Sequence, residues 1–429
     1  MAVARAVDKY LARWAEPEAR APELEALAAC GPWDHALVLP ARRETAACLD
    51  ALAAPAGRAS VLCVLVVNAG DDPDDQRAGV ELLETIEAND TRWRGDGISL
   101  LRAAPAEVLL VDRCRGPRRF LAGDGVGLAR KLGADLALAL WARGALRGPW
   151  IHTTDADARL PAEHFERAVA TPDAVAATVA PFRHVEGGDA EVDRATARYE
   201  LSLRYYVAGL RHAGSAYAFH TIGSLISARC SAYARARGFP QRAAGEDFYL
   251  LNKLAKLGEV RSLGGEPVRI QSRRSTRVPF GTGPAVEALL AGEALAVYDP
   301  RVFDVLGQVL RALERLARGQ GLGALERLTA QFDLDATRRC LAAARDLHAR
   351  YPQAQLRDRL HESFDGFRTL KLIHELTAAR WPKRPWPEAA AAAPFLDVDP
   401  AAPLEVQRAA LAAREHGHTG QSAPHQPPD

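Results

Sequence analysis

Short apolar runs of strand length alternate with segments of helical spacing through the first two thirds of the chain. Runs rich in β-branched residues occupy residues 35–41, 60–67 and 106–112, and a further run, 150–154, ends at two aspartates. Among the intervening segments, residues 125–144 place a leucine at every fourth position. Strands that alternate with helices and read as continuous apolar runs predict an α/β fold, with a mostly parallel sheet covered by helices on both faces.

The same pattern divides the chain into regions. Residues 1–34 are expected to form an N-terminal helical extension, and residues 35–283 an α/β domain that includes a helix over 245–258. From 284 to 385 apolar residues recur at helical spacing, which predicts a separate α-helical domain. The tail, 415–429, is polar and contains proline, so we expect it to be disordered.

Composition excludes several classes of protein. The 429 residues carry a formal charge of +1, which gives no electrostatic reason to expect nucleic acid as a partner. The six cysteines form no C-x-x-C pair, so neither a zinc site nor a disulfide framework is indicated. There is no apolar signal segment and no run approaching 18 apolar residues. We therefore expect a cytoplasmic protein without a transmembrane segment, a picture compatible with peripheral membrane contact.

Two aspartates one residue apart follow the apolar run at 150–154. In an extended chain alternate side chains point the same way, so Asp155 and Asp157 would aim both carboxylates at one spot. Such a pair suits a hard divalent cation, Mg²⁺ or Mn²⁺, which leaves positions for phosphate oxygens. The structural alternative is that aspartates favour turns and helix caps. Asp71, Asp72 and Asp155 directly follow predicted strands, at the edge where open parallel sheets bind ligands.

Five motifs occur in an order that resembles a known enzyme family. They are "LVLPARRE", "VLVVNAGDD", "GVGLARKLGADLAL", "WIHTTDADARLPAEHF" and "GFPQRAAGEDFYLLNKLAKLG". Their order and spacing over roughly residues 35–283 resemble the nucleotide-sugar glycosyltransferases of family 2, which have the GT-A fold. The resemblance implies a GT-A-like domain with a sugar nucleotide on the N-terminal half of the sheet. It also implies a metal at the Asp-x-Asp element and a catalytic base from the later Glu-Asp element.

The chemistry of glycosyl transfer agrees with these positions. Negative charge grows on the departing nucleoside diphosphate, and a divalent cation held by Asp155 and Asp157 would neutralise it as a Lewis acid. The acceptor hydroxyl must also lose a proton. A carboxylate at a helix start, screened by an apolar stripe, suits this general base, which favours Asp247 with Glu246 as its neighbour. The structural alternative is that both acids only complement the helix dipole.

Further positions match the family's donor-binding pattern in part. Pro40 and Glu44 match its opening P-x-x-x-E element beside the nucleotide. Arg130 matches a basic position near the donor, where a guanidinium either binds phosphate or pairs with an aspartate of the Asp-x-Asp element; an exposed helix arginine is the structural alternative. Asn68 stands where the family usually has an aspartate that contacts the base or ribose. An amide can still bind a base, so the nucleotide stays open.

The segment "SRRSTRVPFGTG" (272–283) combines three arginines with glycines just after the last predicted strand. Arg274 and Arg277, together with Arg273, are candidates to close over the donor's diphosphate, since guanidinium and backbone N–H groups both suit phosphate. Alternatively, this is a solvated basic loop at a domain boundary. The segment lacks the tryptophan of the Q-x-x-R-W element found in processive relatives, so we expect a single sugar to be added.

These features predict an inverting, metal-dependent transfer of one sugar from a nucleoside-diphosphate sugar to an unidentified acceptor hydroxyl. A nucleotidyltransferase acting on a sugar phosphate is one alternative, although such enzymes normally carry a glycine-rich loop where this chain has "LPARRETAAC". A non-catalytic scaffold of the same fold is the other. The helical domain is expected to shape the acceptor side or to form an oligomer contact.

Overall fold

The computed structural model describes residues 2–121, 123–242, 244–275 and 281–416. Arg277 and all of the predicted disordered tail beyond residue 416 lie outside the described residues. Two compact units divide the chain: one comprises the described parts of 1–187 and 221–281, and the other those of 188–220 and 282–421. Residues 188–220 therefore group with the later helices, although the sequence pattern assigned them to the α/β domain.

The secondary structure of the described residues is as follows. The strands are β1 (His35–Ala41), β2 (Val61–Asn68), β3 (Asp90–Arg94), β4 (Ile98–Ala103), β5 (Ala106–Arg113), β6 (Trp150–Thr153), β7 (Ala158–Arg159), β8 (Val175–Val179), β9 (Phe182–Val185), β10 (Ile226–Arg229), β11 (Glu259–Ser262), β12 (Val268–Gln271), β13 (Ala296–Val297) and β14 (Arg384–Pro385). The helices are α1 (Ala2–Arg13), α2 (Leu24–Ala28), α3 (Pro73–Glu87), α4 (Val126–Ala142), α5 (His164–Val169), α6 (Ala190–His212), α7 (Cys230–Arg235), α8 (Glu246–Leu254), α9 (Thr282–Leu290), α10 (Arg301–Ala317), α11 (Gly323–Phe332), α12 (Asp335–Arg350), α13 (Gln353–Ser363), α14 (Gly366–Ala379), α15 (Trp386–Ala392) and α16 (Leu404–His416).

A nine-stranded sheet in the order β11-β8-β10-β6-β1-β2-β5-β4-β3 forms the centre of the first unit. Strands β6, β1, β2 and β5 are parallel neighbours, and of the nine only β4 and β10 run in the opposite direction. Every residue of β2 is buried, because helices cover both faces of a parallel sheet. The predicted fold class, a mostly parallel sheet covered by helices and followed by a helical region, is confirmed.

Three strands of this sheet were not predicted. The hairpin β3–β4 forms one edge, and β10 lies antiparallel between β8 and β6. Strand β3 is largely exposed and therefore lacks an apolar run. Strand β10 has only four residues, too few to show a period of its own.

The four central parallel strands bring polar segments to one edge of the sheet. The loop after β1 carries Glu44, β2 ends at Asn68, and the chain leaving β6 carries Asp155. A second, three-stranded sheet has the order β7-β12-β9, and its strand β7 is the first strand after β6 in the chain. It brings the segment after β12 close to Asp157, because the backbone N–H of Gln271 donates to the carbonyl of Asp157 at 2.8 Å.

The second unit is helical, and α6 packs there with α9 to α16 around a core of its own. Tyr205 of α6, Phe303 of α10 and Trp386 of α15 belong to this core. Helix α16 continues the helical region past residue 385, the predicted end of the helical domain, and includes residues 415 and 416 of the predicted tail. No helix among the described residues has the length and apolar character needed to cross a membrane.

Candidate active site

Asp155 and Asp157 lie in a turn, and not in the extended chain that strand alternation would require. The backbone N–H of Ala158 donates to the carbonyl of Asp155 at 3.1 Å, which closes the turn. The chain turns here because it leaves β6 and the central sheet to enter β7 in the smaller one. The two carboxyl side chains are 31% and 17% exposed, and each is bound by a different arginine.

Arg130 of α4 is buried and bridges two carboxylates. Its Nη2 donates to Oδ1 of Asp155 at 2.6 Å, and its Nε donates to Oε1 of Glu246 at 2.8 Å. Burial alone would lower the pKa of Arg130, but the charges of Asp155, Glu246 and Asp247 raise it, so the guanidinium stays charged. The exposed alternative is excluded, since the side chain is 4% exposed. Of the two roles that the resemblance implied, pairing with an aspartate is the one seen.

Gly127 allows the segment before α8 to reach the first turn of α4. Its N–H donates to the carbonyl of Arg242 at 3.2 Å, and a Cβ at this position would lie 2.5 Å from that oxygen. Any side chain would therefore push the segment, and Glu246 beyond it, away from Arg130. Gly127, the last glycine of "GDGVG", thus has a packing role here.

Gly223 provides the space for the guanidinium itself. A Cβ on Gly223 would overlap Nη2 and Cζ of Arg130. The position of Gly223 is fixed from β6, because Oγ1 of Thr153 donates to its carbonyl at 2.5 Å. The sequence pattern did not identify Gly223, since nothing in "HTIGS" distinguishes it from a turn glycine.

Glu246 and Asp247 begin α8 and differ in environment. Glu246 is 3% exposed and its carboxylate is bound to Arg130, whereas Asp247 is half-buried. Burial, followed by the negative charge of Glu246, raises the pKa of Asp247 to about 7, although the hydrogen bond from the N–H of Phe248 and then the charge of Arg130 oppose the shift. A carboxyl with this pKa can accept a proton near neutral pH, as a general base must.

Arg273 joins the other aspartate to the loop after β1. Its Nε is 2.7 Å from Oδ2 of Asp157, and its Nη1 donates to Oε1 of Glu44 at 2.9 Å. Arg274, the neighbour predicted to bind the donor, is exposed. The pattern "SRRS" could not show which arginine faces inward, because that depends on how β12 pairs with β7.

The loop that carries Glu44 is held by a buried aspartate that the sequence pattern did not single out. Asp75, in the first turn of α3, is fully buried and accepts from Nε of Arg42 at 2.6 Å and from Nε of Arg43. Arg43 has φ +54, a left-handed conformation that this double pairing supports. From sequence, Asp75 reads only as an acid suited to the helix dipole.

The remaining predicted donor residues lie at strand ends. Pro40 is the second-last residue of β1. Asn68 is the last residue of β2, and 5% of its surface is exposed. Asp72 caps α3, because its side chain accepts from the N–H of Asp74 at 2.8 Å. Asp71 is 3.2 Å from Nη2 of Arg119. Asp71 and Asp72 therefore bind other parts of the protein. Asn68 is the polar side chain with which β2 ends at this edge of the sheet.

The site fits a divalent cation that takes part of its ligands from a bound diphosphate. No group of three or more His, Cys, Asp or Glu side chains arranged for a metal exists among the described residues. Two carboxylates with phosphate oxygens and water are nevertheless a common Mg²⁺ environment. Among the described residues, the side chains linked around Asp155 and Asp157 include the acids Glu44, Glu246 and Asp247 and the arginines Arg130 and Arg273.

No protein-family model and no curated protein matches the sequence. Solved structures similar to this chain include S. aureus TarS 1-349 in complex with UDP-GlcNAc, at 14% identity and TM-score 0.36, covering 76% of this chain and 89% of that chain. The mannosyltransferase PcManGT from Pyrobaculum calidifontis, in complex with GDP-Man and Mn²⁺, is similar at 16% identity and TM-score 0.34, covering 88% and 98%. At these TM-scores the backbones agree only in part, so the function must be inferred from the side chains of the site.

Proposed function

We propose that this chain transfers a single sugar from a nucleoside-diphosphate sugar to an acceptor hydroxyl, with inversion at the anomeric carbon. The observation that carries the proposal is the buried series Asp155–Arg130–Glu246, which leads directly to Asp247, a carboxyl with a pKa of about 7. It connects an acidic turn at the ligand-binding edge of the sheet with a base suited to neutral pH.

Asp247 is the proposed general base. Its carboxylate accepts the proton of the acceptor hydroxyl as that oxygen forms a bond to the anomeric carbon. The bond between the anomeric carbon and the diphosphate oxygen breaks on the opposite face, and its electron pair leaves with the nucleoside diphosphate. One displacement of this kind inverts the configuration, and no covalent intermediate with the protein is required.

Asp155 and Asp157 are the residues that would hold a divalent cation. When bound, such an ion supplies Lewis-acid neutralisation of the leaving diphosphate. Arg130 orients Asp155 by holding one of its oxygens, and Glu246 holds Arg130 in turn. We therefore give Glu246 a positioning role in place of the catalytic role considered from sequence.

The nucleotide is proposed to lie over the ends of β1 and β2. Pro40 and Glu44 would border it on one strand, and Asn68 would contact its base or ribose with an amide that both donates and accepts hydrogen bonds. Arg274, exposed after β12, is the described arginine proposed to reach the diphosphate. Arg277 shares that proposed role.

The nature of the leaving group tests this proposal. The purified chain would be incubated with UDP-GlcNAc or GDP-mannose, the nucleotide sugars of the similar structures. Each incubation would contain Mn²⁺, Mg²⁺ or EDTA. With no acceptor present, water takes its place at the anomeric carbon, and we expect a donor hydrolysis that releases nucleoside diphosphate and free sugar and requires the metal. Pyrophosphate release from a nucleoside triphosphate and a sugar phosphate would identify a nucleotidyltransferase instead. Binding of donors without any turnover would indicate a scaffold.

A further inference from the structure

Arg273 brings a positive charge between two carboxylates of the candidate site. It is placed between a carboxylate of the Asp-x-Asp turn and one of the loop after β1, at 2.7 Å from Asp157 Oδ2 and 2.9 Å from Glu44 Oε1. Its side chain is 32% exposed, while those of Asp157 and Glu44 are 17% and 12% exposed. The side chain of Arg273 is thus more accessible than the side chains of the two acids that it joins.

The backbone holds Arg273 at this place from two directions. In β12, Ile270 pairs with Ala158 of β7, and the N–H of Gln271 donates to the carbonyl of Asp157 at 2.8 Å. The next N–H, that of Ser272, donates to the carbonyl of Val185 at 2.9 Å. Since the main chain is fixed immediately before Arg273, a rotation of its side chain is sufficient to release Asp157.

The charge of Arg273 is permanent. Burial would lower the pKa of its guanidinium, but Asp157 and Glu44 raise it above its ordinary value. The guanidinium therefore stays positively charged near neutral pH, and loss of its own proton cannot release Asp157. A second cation that binds the same carboxylate oxygen must compete with the guanidinium for it.

We propose that Arg273 is the resident counter-cation of the donor site and competes with the divalent ion for Asp157. This inference rests on the proposed function only in taking Asp157 as a metal ligand. When the ion binds Asp157, the guanidinium leaves Oδ2, keeps its link to Glu44, and is available to the anionic diphosphate. The metal and the donor then bind cooperatively, because the diphosphate gives the displaced arginine a new partner.

Direct Mn²⁺ titration of the ligand-free, full-length chain tests the competition. Free Mn²⁺ would be quantified by its electron paramagnetic resonance signal for the wild type, Arg273→Gln and Arg273→Lys. Charge-assisted hydrogen bonds contribute enough that removing the competitor should tighten Mn²⁺ binding about 10-fold in Arg273→Gln. Arg273→Lys, which keeps the charge, should stay closer to the wild type.

Two further variants make the result specific. Arg269→Gln removes an exposed arginine of the same strand, whose partner is Glu266 at 3.0 Å, and should leave Mn²⁺ affinity unchanged. Asp157→Asn should abolish the binding. Mn²⁺ binding by folded Arg273→Gln that is equal to or weaker than that of the wild type would overturn the proposal. Equal Mn²⁺ binding by Asp157→Asn and the wild type would also overturn it. So would the absence of Mn²⁺ binding in both the wild type and Arg273→Gln. Tighter binding by Arg273→Gln in a chain without transfer activity would support the competition while rejecting the proposed function.

Discussion

Asp247 sets the expected pH dependence of transfer. A base with a pKa of about 7 acts only when ionised, so kcat/KM should rise with pH to a plateau, with its midpoint near 7. In Glu246→Gln the negative neighbour is lost and the charge of Arg130 is less neutralised. Both changes lower the pKa of Asp247, so the midpoint should move to lower pH while the plateau falls.

The measurement is a pH–rate profile of nucleoside diphosphate release, with Glu266→Gln as a control at an exposed carboxylate that pairs with Arg269 at 3.0 Å. An unchanged midpoint in Glu246→Gln, together with a normal profile in the control, would contradict the assignment of the base to Asp247.

Three buried histidines predict loss of stability in acid. The rings of His35, His152 and His164 surround Phe165, and burial lowers the pKa of each, that of His164 to about 4. The unfolded chain binds their protons from about pH 6.5 downward, whereas the folded chain does not. Stability is therefore full above pH 6.5 and falls as the pH drops from 6.5 towards 4.

His164→Phe should reduce the loss of stability between pH 6.5 and 4. A ring of similar shape then replaces a group whose lowered pKa accounts for roughly 3 kcal/mol of pH-dependent stability. Thermal unfolding at several pH values from about 7.5 to about 4.5 would measure this pH dependence, because that range includes the ordinary histidine pKa of about 6.5. His348→Phe, at an exposed position, is the matched control. A slope that is equal in wild type and His164→Phe would show that this ring does not titrate as described.

At the scale of elements, the loop before β10 and helix α4 meet at one point, where Gly223 lies against Arg130. Gly223→Ala should force the guanidinium away from Asp155 and Glu246, and reduce transfer about 10²-fold or more through lost orientation. Gly57→Ala is the control, since a Cβ there meets nothing within 4 Å. The rate of nucleoside diphosphate release would report the activity of both variants, and circular dichroism would report whether they are folded. A fully active, folded Gly223→Ala would refute the role of this contact.

Buried ion pairs connect helix α16 to α6 within the helical unit. Glu415 accepts from Arg204 Nη1 at 2.7 Å and lies 2.8 Å from His220 Nε2, and Arg408 donates to Glu200 at 2.7 Å. Arg204 and Glu200 are nearly inaccessible, so both would lose a buried partner if α16 were removed. Uncompensated buried charge is strongly destabilising, by about 3–5 kcal/mol when one partner is lost.

A chain ending at residue 403 should therefore unfold at clearly lower temperature, whereas a chain ending at residue 416 should match the full-length protein. Calorimetry of both truncations distinguishes the two. Equal unfolding temperatures for all three chains would mean that the ionic cluster contributes little to the stability of the helical unit.

For the whole molecule, sequence predicts what depends on local periodicity and misses what depends on distant partners. The apolar runs of β1, β2 and β5 and the leucine spacing of α4 were sufficient for the fold class, and the motif order singled out Asp155 and Asp247 as candidates, whose roles stay predictions. Arg273 was not distinguished from its neighbour, because its partner Glu44 lies 229 residues away in the chain. The same holds for Glu415, which is 211 residues from Arg204.

The central claim is that Asp247 removes the acceptor's proton, and Asp247→Asn tests it most directly. Donor hydrolysis, in which water takes the place of the acceptor, would be measured alongside thermal stabilisation by nucleoside diphosphate and Mn²⁺. The amide keeps the shape of the side chain but cannot accept the proton, so we expect stabilisation to persist while turnover falls about 10²-fold or more. Turnover close to that of the wild type in a folded, donor-binding Asp247→Asn protein would contradict the account.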